Sequence, residues 1–203
     1  MTLHSKASHT DDAMPDSQRK PLDASQLQTI MDITRELTAT LDLDRLLYAF
    51  RQNAGLPTPG EPLGGWEKPE VEVRGHFPGH FLSACALMYA STGDQELKAK
   101  ADKMVAELAK CQEKLGGGYL SAYPESFLDR LESMDRVTWA PLYVIHKIMA
   151  GLLDMYQLAD NEQALDVLNR MAAHFKRRVD KLTDFQMERL LTVEFGGMSE
   201  VLH

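Results

Sequence analysis

Residues 88–108, MYASTGDQELKAKADKMVAEL, and residues 155–175, MYQLADNEQALDVLNRMAAHF, are two versions of one text. Tyr89 aligns with Tyr156, Asp94 with Asn161, Asp102 with Asn169, Lys103 with Arg170, Met104 with Met171 and Ala106 with Ala173, every pair 67 residues apart. Each copy places apolar residues at helical spacing, breaks at a polar turn (Thr92-Gly93-Asp94 or Ala159-Asp160-Asn161), and resumes the helical spacing. Repetition at a fixed period marks stacked helical hairpins, each burying its apolar stripe against the next. The period exceeds the roughly 34–47 residues of common α-solenoid repeats, and the excess lies in an irregular stretch from Gly116 to about Arg136. Long loops on one side of stacked hairpins build a central cleft. The expected fold is therefore all-α, stacked helical hairpins forming a partial α/α toroid.

Working outward, Phe81, Cys85, Met88 and Tyr89 share one helical face, and Leu97, Ala101, Met104, Val105 and Leu108 stripe the next helix. Gly116-Gly117-Gly118 ends it, because glycine accepts positive φ. Ile145, Ile148, Met149, Leu152 and Tyr156 stripe a third helix, and Ala164, Leu165, Leu168, Met171, Ala172 and Phe175 a fourth. VEV at 71–73 and GGGYLSAY at 116–123 are the only strand candidates. Thr183 to Val193 reads as another helix, capped by Asp180 or Thr183. GGMSEVLH at 196–203 reads as the first turn of a third hairpin, about two and a half in all.

Toward the N-terminus, residues 1–24 carry too little apolar surface to repay ordering and are expected to form a disordered tail. Residues 25–41 are expected to form a helix, with Ser25 as N-cap and Leu27, Ile30, Met31, Thr34, Leu37 and Thr38 at helical spacing. Residues 42–203 hold the hairpins. They open with a short helix from Leu43 to about Asn53 behind an Asp42 cap. AGLPTPGEPLGGWEKPE at 54–70 has four prolines and four glycines, a density that no regular element survives. A long loop holding one Trp in a compact domain is pinned or functional, so Trp66 either packs or lines a cleft.

The chain has 203 residues, 44% hydrophobic and 26% charged, with net charge −8 and pI near 5.3. That balance argues against a nucleic-acid partner, which needs a clustered basic face. Lys176-Arg177-Arg178, with Lys181 nearby, is short, interleaved with Asp180 and reads as a solvated helix face. No run approaches the ~20 apolar residues of a membrane span, and the first residues lack the apolar core of a secretory signal. The expected compartment is the cytoplasm, with no membrane partner. Cys85 and Cys111 fit no Cys-x-x-Cys pattern and read as buried free thiols.

His76 and His80 stand four apart, as zinc ligands on a helix do, but Pro78 and Gly79 lie between them. A polar cleft edge and packing at a helix start are the stronger readings. His146, on the apolar run YVIHKIMAGL, is a satisfied core histidine or faces a cleft. Trp139 and Tyr143 share a helical face with it, and such a row is ordinary core or a platform for the apolar face of a sugar. Glycoside hydrolysis by the common route needs two carboxylates about 5–5.5 Å or 6.5–9.5 Å apart. Of Glu67, Glu70, Glu125, Asp129, Glu194 and Glu200, the last is best placed, although a helix-capping role explains it as well.

Five motifs in order carry a family resemblance: LDRLLYAFRQNAGLPTPGEPLGGWE (43–67), RGHFPGHFLSACALMYASTGD (74–94), GGGYLSAYPES (116–126), the WAP…YVIHKIMAGLLDMY block (139–156) and EFGGMSEVL (194–202). From Leu43 onward the chain resembles the β-L-arabinofuranosidases of glycoside hydrolase families 127 and 146. The resemblance implies an (α/α)6 toroid that hydrolyses arabinofuranosides with a zinc-bound cysteine nucleophile and a glutamate acid/base. It also implies that this machinery lies downstream of the matched motifs, so no catalytic residue, metal ligand or cofactor is assigned to this chain, and zinc is expected in the full-length family. What the resemblance carries over is one wall of a carbohydrate cleft: Trp66, His76, Phe77, Trp139, Tyr143, His146 and Glu200. The chain is then expected to be a truncated, inactive portion of such an enzyme. The alternative is a non-enzymatic helical-repeat binding module, with self-association through uncovered hairpin faces. Ser199 replaces an expected Asn, and Leu142 an expected aromatic. ITRELTATLDLDRLL (33–47) instead resembles the linker helix that precedes GAF sensor domains.

Overall fold

The computed structural model describes residues 23–133, 138–194 and 197–202. The expected disordered tail thus lies outside the described residues, apart from Asp23 and Ala24. Helix α1 (Ala24–Thr40) is followed by α2 (Leu43–Leu46), α3 (Tyr48–Asn53), a 3-10 turn (Gly65–Glu67), α4 (His76–Thr92), α5 (Gln95–Leu115), α6 (Ser126–Ser133), α7 (Pro141–Ala159), α8 (Glu162–Val179), α9 (Asp184–Val193) and α10 (Gly197–Leu202). Among the described residues there is no strand, and no helix is long and apolar enough to cross a membrane.

The two copies of the repeated text are helical hairpins, α4–α5 and α7–α8. Their turns match residue for residue. Gly93 and Asp160 end the first helices in the left-handed region, at φ 72° and 53°. Asp94 and Asn161 cap the second helices, their side chains accepting from backbone N–H groups of the first turn. Asn161 also donates to Asp102 at 2.7 Å, tying the second hairpin to the first.

α4 and α7 are apolar over most of their surface and form the inner pair, whereas α5 and α8 each carry an apolar stripe and form the outer pair. The inner helices meet backbone to backbone. A Cβ on Gly79 would stand 2.1 Å from the Lys147 carbonyl oxygen, and one on Gly151 would stand 2.5 Å from the Gly79 carbonyl oxygen. Around this crossing Phe81, Leu82, Met104, Leu108, Ile145, Ile148, Met149 and Leu152 are buried at 2% exposure or less. Each such side chain contributes roughly 1.5–3 kcal/mol of apolar burial. Cys85 and Cys111 are free and fully buried in this core, as their helical context indicated.

Several expectations change. The N-cap of α1 is Asp23, which forms a capping box with Gln26, and not Ser25. α1 turns Met31, Thr34 and Thr38 inward and leaves Leu27, Ile30, Ile33 and Leu37 48–62% exposed. Polar contacts fix that rotation: Arg35 pairs with Asp94 at 2.5 Å, and Lys100 donates to the Thr38 and Ala39 carbonyls. The expected helix from Leu43 is two short helices that break at Leu47.

Neither strand candidate is a strand. The 119–123 segment is buried, and side chains take the place of a sheet partner. Asn53 donates to the Ser121 and Tyr123 carbonyls, Arg74 to Ala122, and Tyr119 to Tyr123. The stretch between hairpins is not wholly irregular, since it contains α6; Arg136 lies outside the described residues. The basic run is only partly a solvated face. Arg178 binds Glu125, Asp129 and Glu132 and so clamps α8 to α6, while Arg177 donates to the Gly117 carbonyl.

Candidate functional site

Two inner helices begin side by side without a capping side chain of their own. The residue before α4 is Gly75 at φ 99° and the residue before α7 is Ala140 at φ 53°, and neither supplies a side-chain acceptor. The first N–H groups of each helix therefore need an acceptor from elsewhere. Glu67, from the 3-10 turn, serves α4: it accepts from the Gly75 N–H at 2.7 Å and the Phe77 N–H at 2.9 Å. Glu194, at the end of α9, serves α7 by accepting the Tyr143 N–H at 2.9 Å. A third carboxylate, Glu72, accepts the Trp139 N–H at 2.9 Å and an N–H of Arg130 at 2.7 Å.

These anchors gather five rings. The Trp66 and Trp139 indoles meet edge to face at 5.9 Å between centroids, and Trp66 lies 6.3 Å from the His76 ring. His76 stands 5.9 Å from Tyr143 and 6.0 Å from His80, again edge to face. His80 Nε2 is 3.4 Å from the Tyr143 hydroxyl, and the Lys147 ammonium sits over the Tyr143 ring at 5.4 Å. Trp66, Trp139 and Tyr143 are 64%, 48% and 41% exposed. Apolar rings left that open form a surface rather than a core.

The His76 Nδ1 atom lies 2.8 Å from Glu67 Oε1 and 3.0 Å from the Val73 carbonyl oxygen. The Glu67 hydrogen bond holds the imidazolium above the usual histidine range, against the cost of burial. His80 moves the other way: burial, then the Lys147 and His76 charges, lower it.

His146 is 4% exposed on the adjoining face of α7, and its Nε2 is 3.1 Å from Glu200 Oε2. Burial depresses its pKa, so the ring is neutral at neutral pH, with Nε2–H donating to Glu200. Its Nδ1 is buried without a hydrogen-bond partner among the described residues and faces Gly197, where a Cβ would come within 2.6 Å. A glycine is required there so that α10 can seat on the imidazole.

Of the seven residues singled out in the sequence, Trp66, His76, Trp139 and Tyr143 come together directly. His146 and Glu200 form a pair beside them. Phe77 is half-buried with its ring packed against the core, and at this corner it contributes its N–H. Glu200 is 78% exposed at its side chain. The carboxylate with the perturbed environment is Glu194, pushed up to about 7 by burial despite the N–H groups of Tyr143 and Leu142; its Oε1 is buried without a partner among the described residues. Glu67 and Glu194 were legible only as two carboxylates among several. The usable signal was the missing Ser, Thr, Asp or Asn before His76 and before Pro141.

On the side of Tyr143, α6, α7, α8, α9 and α10 border an apolar groove of about 900 Å³, walled by Leu131, Leu142, Phe175, Leu190 and Met198. Neither cysteine lines this groove, and burial pushes their thiols up to about 12 for Cys85 and about 11 for Cys111. Among the described residues no three His, Cys, Asp or Glu side chains converge as metal ligands. These residues do not fit a zinc–thiolate centre.

No curated protein matches the chain. The family model for the β-L-arabinofuranosidase GH127 catalytic domain matches residues 22–203, and so takes in α1, which the motif resemblance had left out. The chain belongs to the β-L-arabinofuranosidase GH127 catalytic-domain family, whose helical hairpins are those of an α/α toroid.

Proposed function

We propose that the ring-lined corner at the starts of α4 and α7 is one wall of a carbohydrate site for an arabinofuranoside, and that this chain binds such a sugar without hydrolysing it. The observation that carries the reading is the exposed platform of Trp66, Trp139 and Tyr143 bordered by His76 and His80. Aromatic faces take the C–H side of a sugar ring, and imidazoles reach its hydroxyls. The inactivity follows from the thiols: a nucleophilic cysteine needs an accessible, lowered pKa, and Cys85 and Cys111 have neither. Titration of an aryl arabinofuranoside should quench Trp fluorescence, and Trp66→Ala should weaken binding about fivefold. Release of arabinose by the purified chain would refute the inactivity, and unchanged Trp fluorescence would refute the site.

A second reading, a helical-repeat binding module, rests on the apolar groove and the uncovered face of α1. It supports pairing of two copies, the exposed Leu27, Ile30, Ile33 and Leu37 entering the groove of a neighbour. The acidic Asp32 and Glu36 on α1 complement Lys176 and Lys181 near the groove. Sedimentation that stays monomeric at all concentrations would remove it.

A further inference from the structure

Glu67 does more than end a helix. Of its two oxygens, Oε2 takes the Gly75 N–H while Oε1 is shared between the Phe77 N–H and His76 Nδ1. A simple cap would need the backbone contacts alone. The imidazole contact lies between two side chains that are 11% and 13% exposed, where an ion pair is poorly screened and its geometry is held. His76 Nδ1 is thereby committed to Glu67 and the Val73 carbonyl. Nε2 has no partner among the described residues and is not sealed from solvent. The rings of Trp66, His80 and Tyr143 surround this imidazole.

We infer that Glu67 is the positioning residue for His76: by accepting the Nδ1 proton, it makes Nε2 the one atom through which the imidazole meets a furanoside hydroxyl lying on the aromatic platform. This rests on the sugar-site reading above. A carboxylate behind an imidazole fixes the tautomer and orientation of the ring and raises the basicity of the distal nitrogen. In the neutral ring Nε2 accepts from a hydroxyl; in the imidazolium it donates. The groups facing the ring are Glu67 from the 3-10 turn, His80 from α4 and Tyr143 from α7, with Lys147 beyond Tyr143. Glu67 is the anion among them, and it keeps the ring protonated to higher pH than an isolated histidine.

The test is heteronuclear NMR of the full chain labelled in histidine and tryptophan, with the His76 signals assigned by their loss in His76→Asn. Unmodified His76 should titrate above about 6.5 and hold the Nδ1–H tautomer once neutral. Glu67→Gln should lower that pKa, release the tautomer and weaken aryl arabinofuranoside binding about fivefold, the usual scale of one lost hydrogen bond. A variant that only melts earlier, with His76 titrating unchanged, would overturn the inference and leave Glu67 a helix cap. If Glu67→Gln does not fold, the unmodified chain still decides, because an Nε2–H tautomer there overturns the inference. Sugar that shifts the Trp66 and Trp139 indoles but not His76 Nε2 overturns it while the site stands. Sugar that shifts none of them overturns the site, and with it the role of Nε2.

Discussion

Replacing Glu194 by Gln tests the anchoring of α7 through its pH dependence. The carboxyl has a folded pKa of about 7 against an ordinary value of 4.5. At roughly 1.4 kcal/mol per unit, that difference corresponds to about 3 kcal/mol. The sign follows from proton binding: the fold holds the Glu194 proton more tightly than the unfolded chain does. Its contribution is therefore full below the unfolded pKa and is lost as pH rises through about 7. Gln keeps an acceptor for the Tyr143 N–H and never ionises. Urea unfolding followed by far-UV circular dichroism, at several values between about pH 4 and pH 8, gives the two stability profiles. The variant should gain on the unmodified chain by about 3 kcal/mol from the low to the high end of that range. His76, His80 and His146 are present in both chains, so their effect cancels to first order. Parallel profiles would refute the argument, since they would mean that Glu194 ionises in the fold as it does in water.

Three further outcomes follow from packing and charge. Gly79→Ala places a methyl 2.1 Å from the Lys147 carbonyl oxygen, so the inner helices must separate; the urea midpoint should fall by the equivalent of about 3 kcal/mol. Arg178→Ala leaves Glu125, Asp129 and Glu132 facing one another, and α6 should lose protection in hydrogen exchange at low salt, with part of it restored by added salt. Cys85 and Cys111, fully buried with raised thiol pKa, should react with a disulfide reagent only as fast as the chain opens, and at once in denaturant.

The hairpins were legible because their signals are local. Periodic apolar residues, Asp94 and Asn161 at the caps, and a positive-φ residue before each cap act within one turn of helix. α1 shows where such signals stop. Its apolar positions promised a buried stripe, but which face turns inward was decided by Asp94 and Lys100, some 60 residues away in the chain. The same holds for the 119–123 segment, whose backbone is satisfied by Asn53 and Arg74 rather than by a strand.

At the site the division is similar. Trp66, His76, Trp139 and Tyr143 could be singled out by residue type and motif, whereas their meeting depends on contacts between distant segments. By itself the sequence determined the all-α class, the 67-residue repeat, the apolar stripes of its helices and the family. Only the tertiary structure decided that Glu67 and Glu194, rather than Glu200, are the carboxylates that anchor the starts of α4 and α7, and that His76 and His146 present opposite ring nitrogens to their acids. The physical reason is range. Helix propensity and capping are settled among neighbours in the chain, but the burial of a charge, the tautomer of an imidazole and the pKa of a carboxyl depend on what folding brings within a few ångströms.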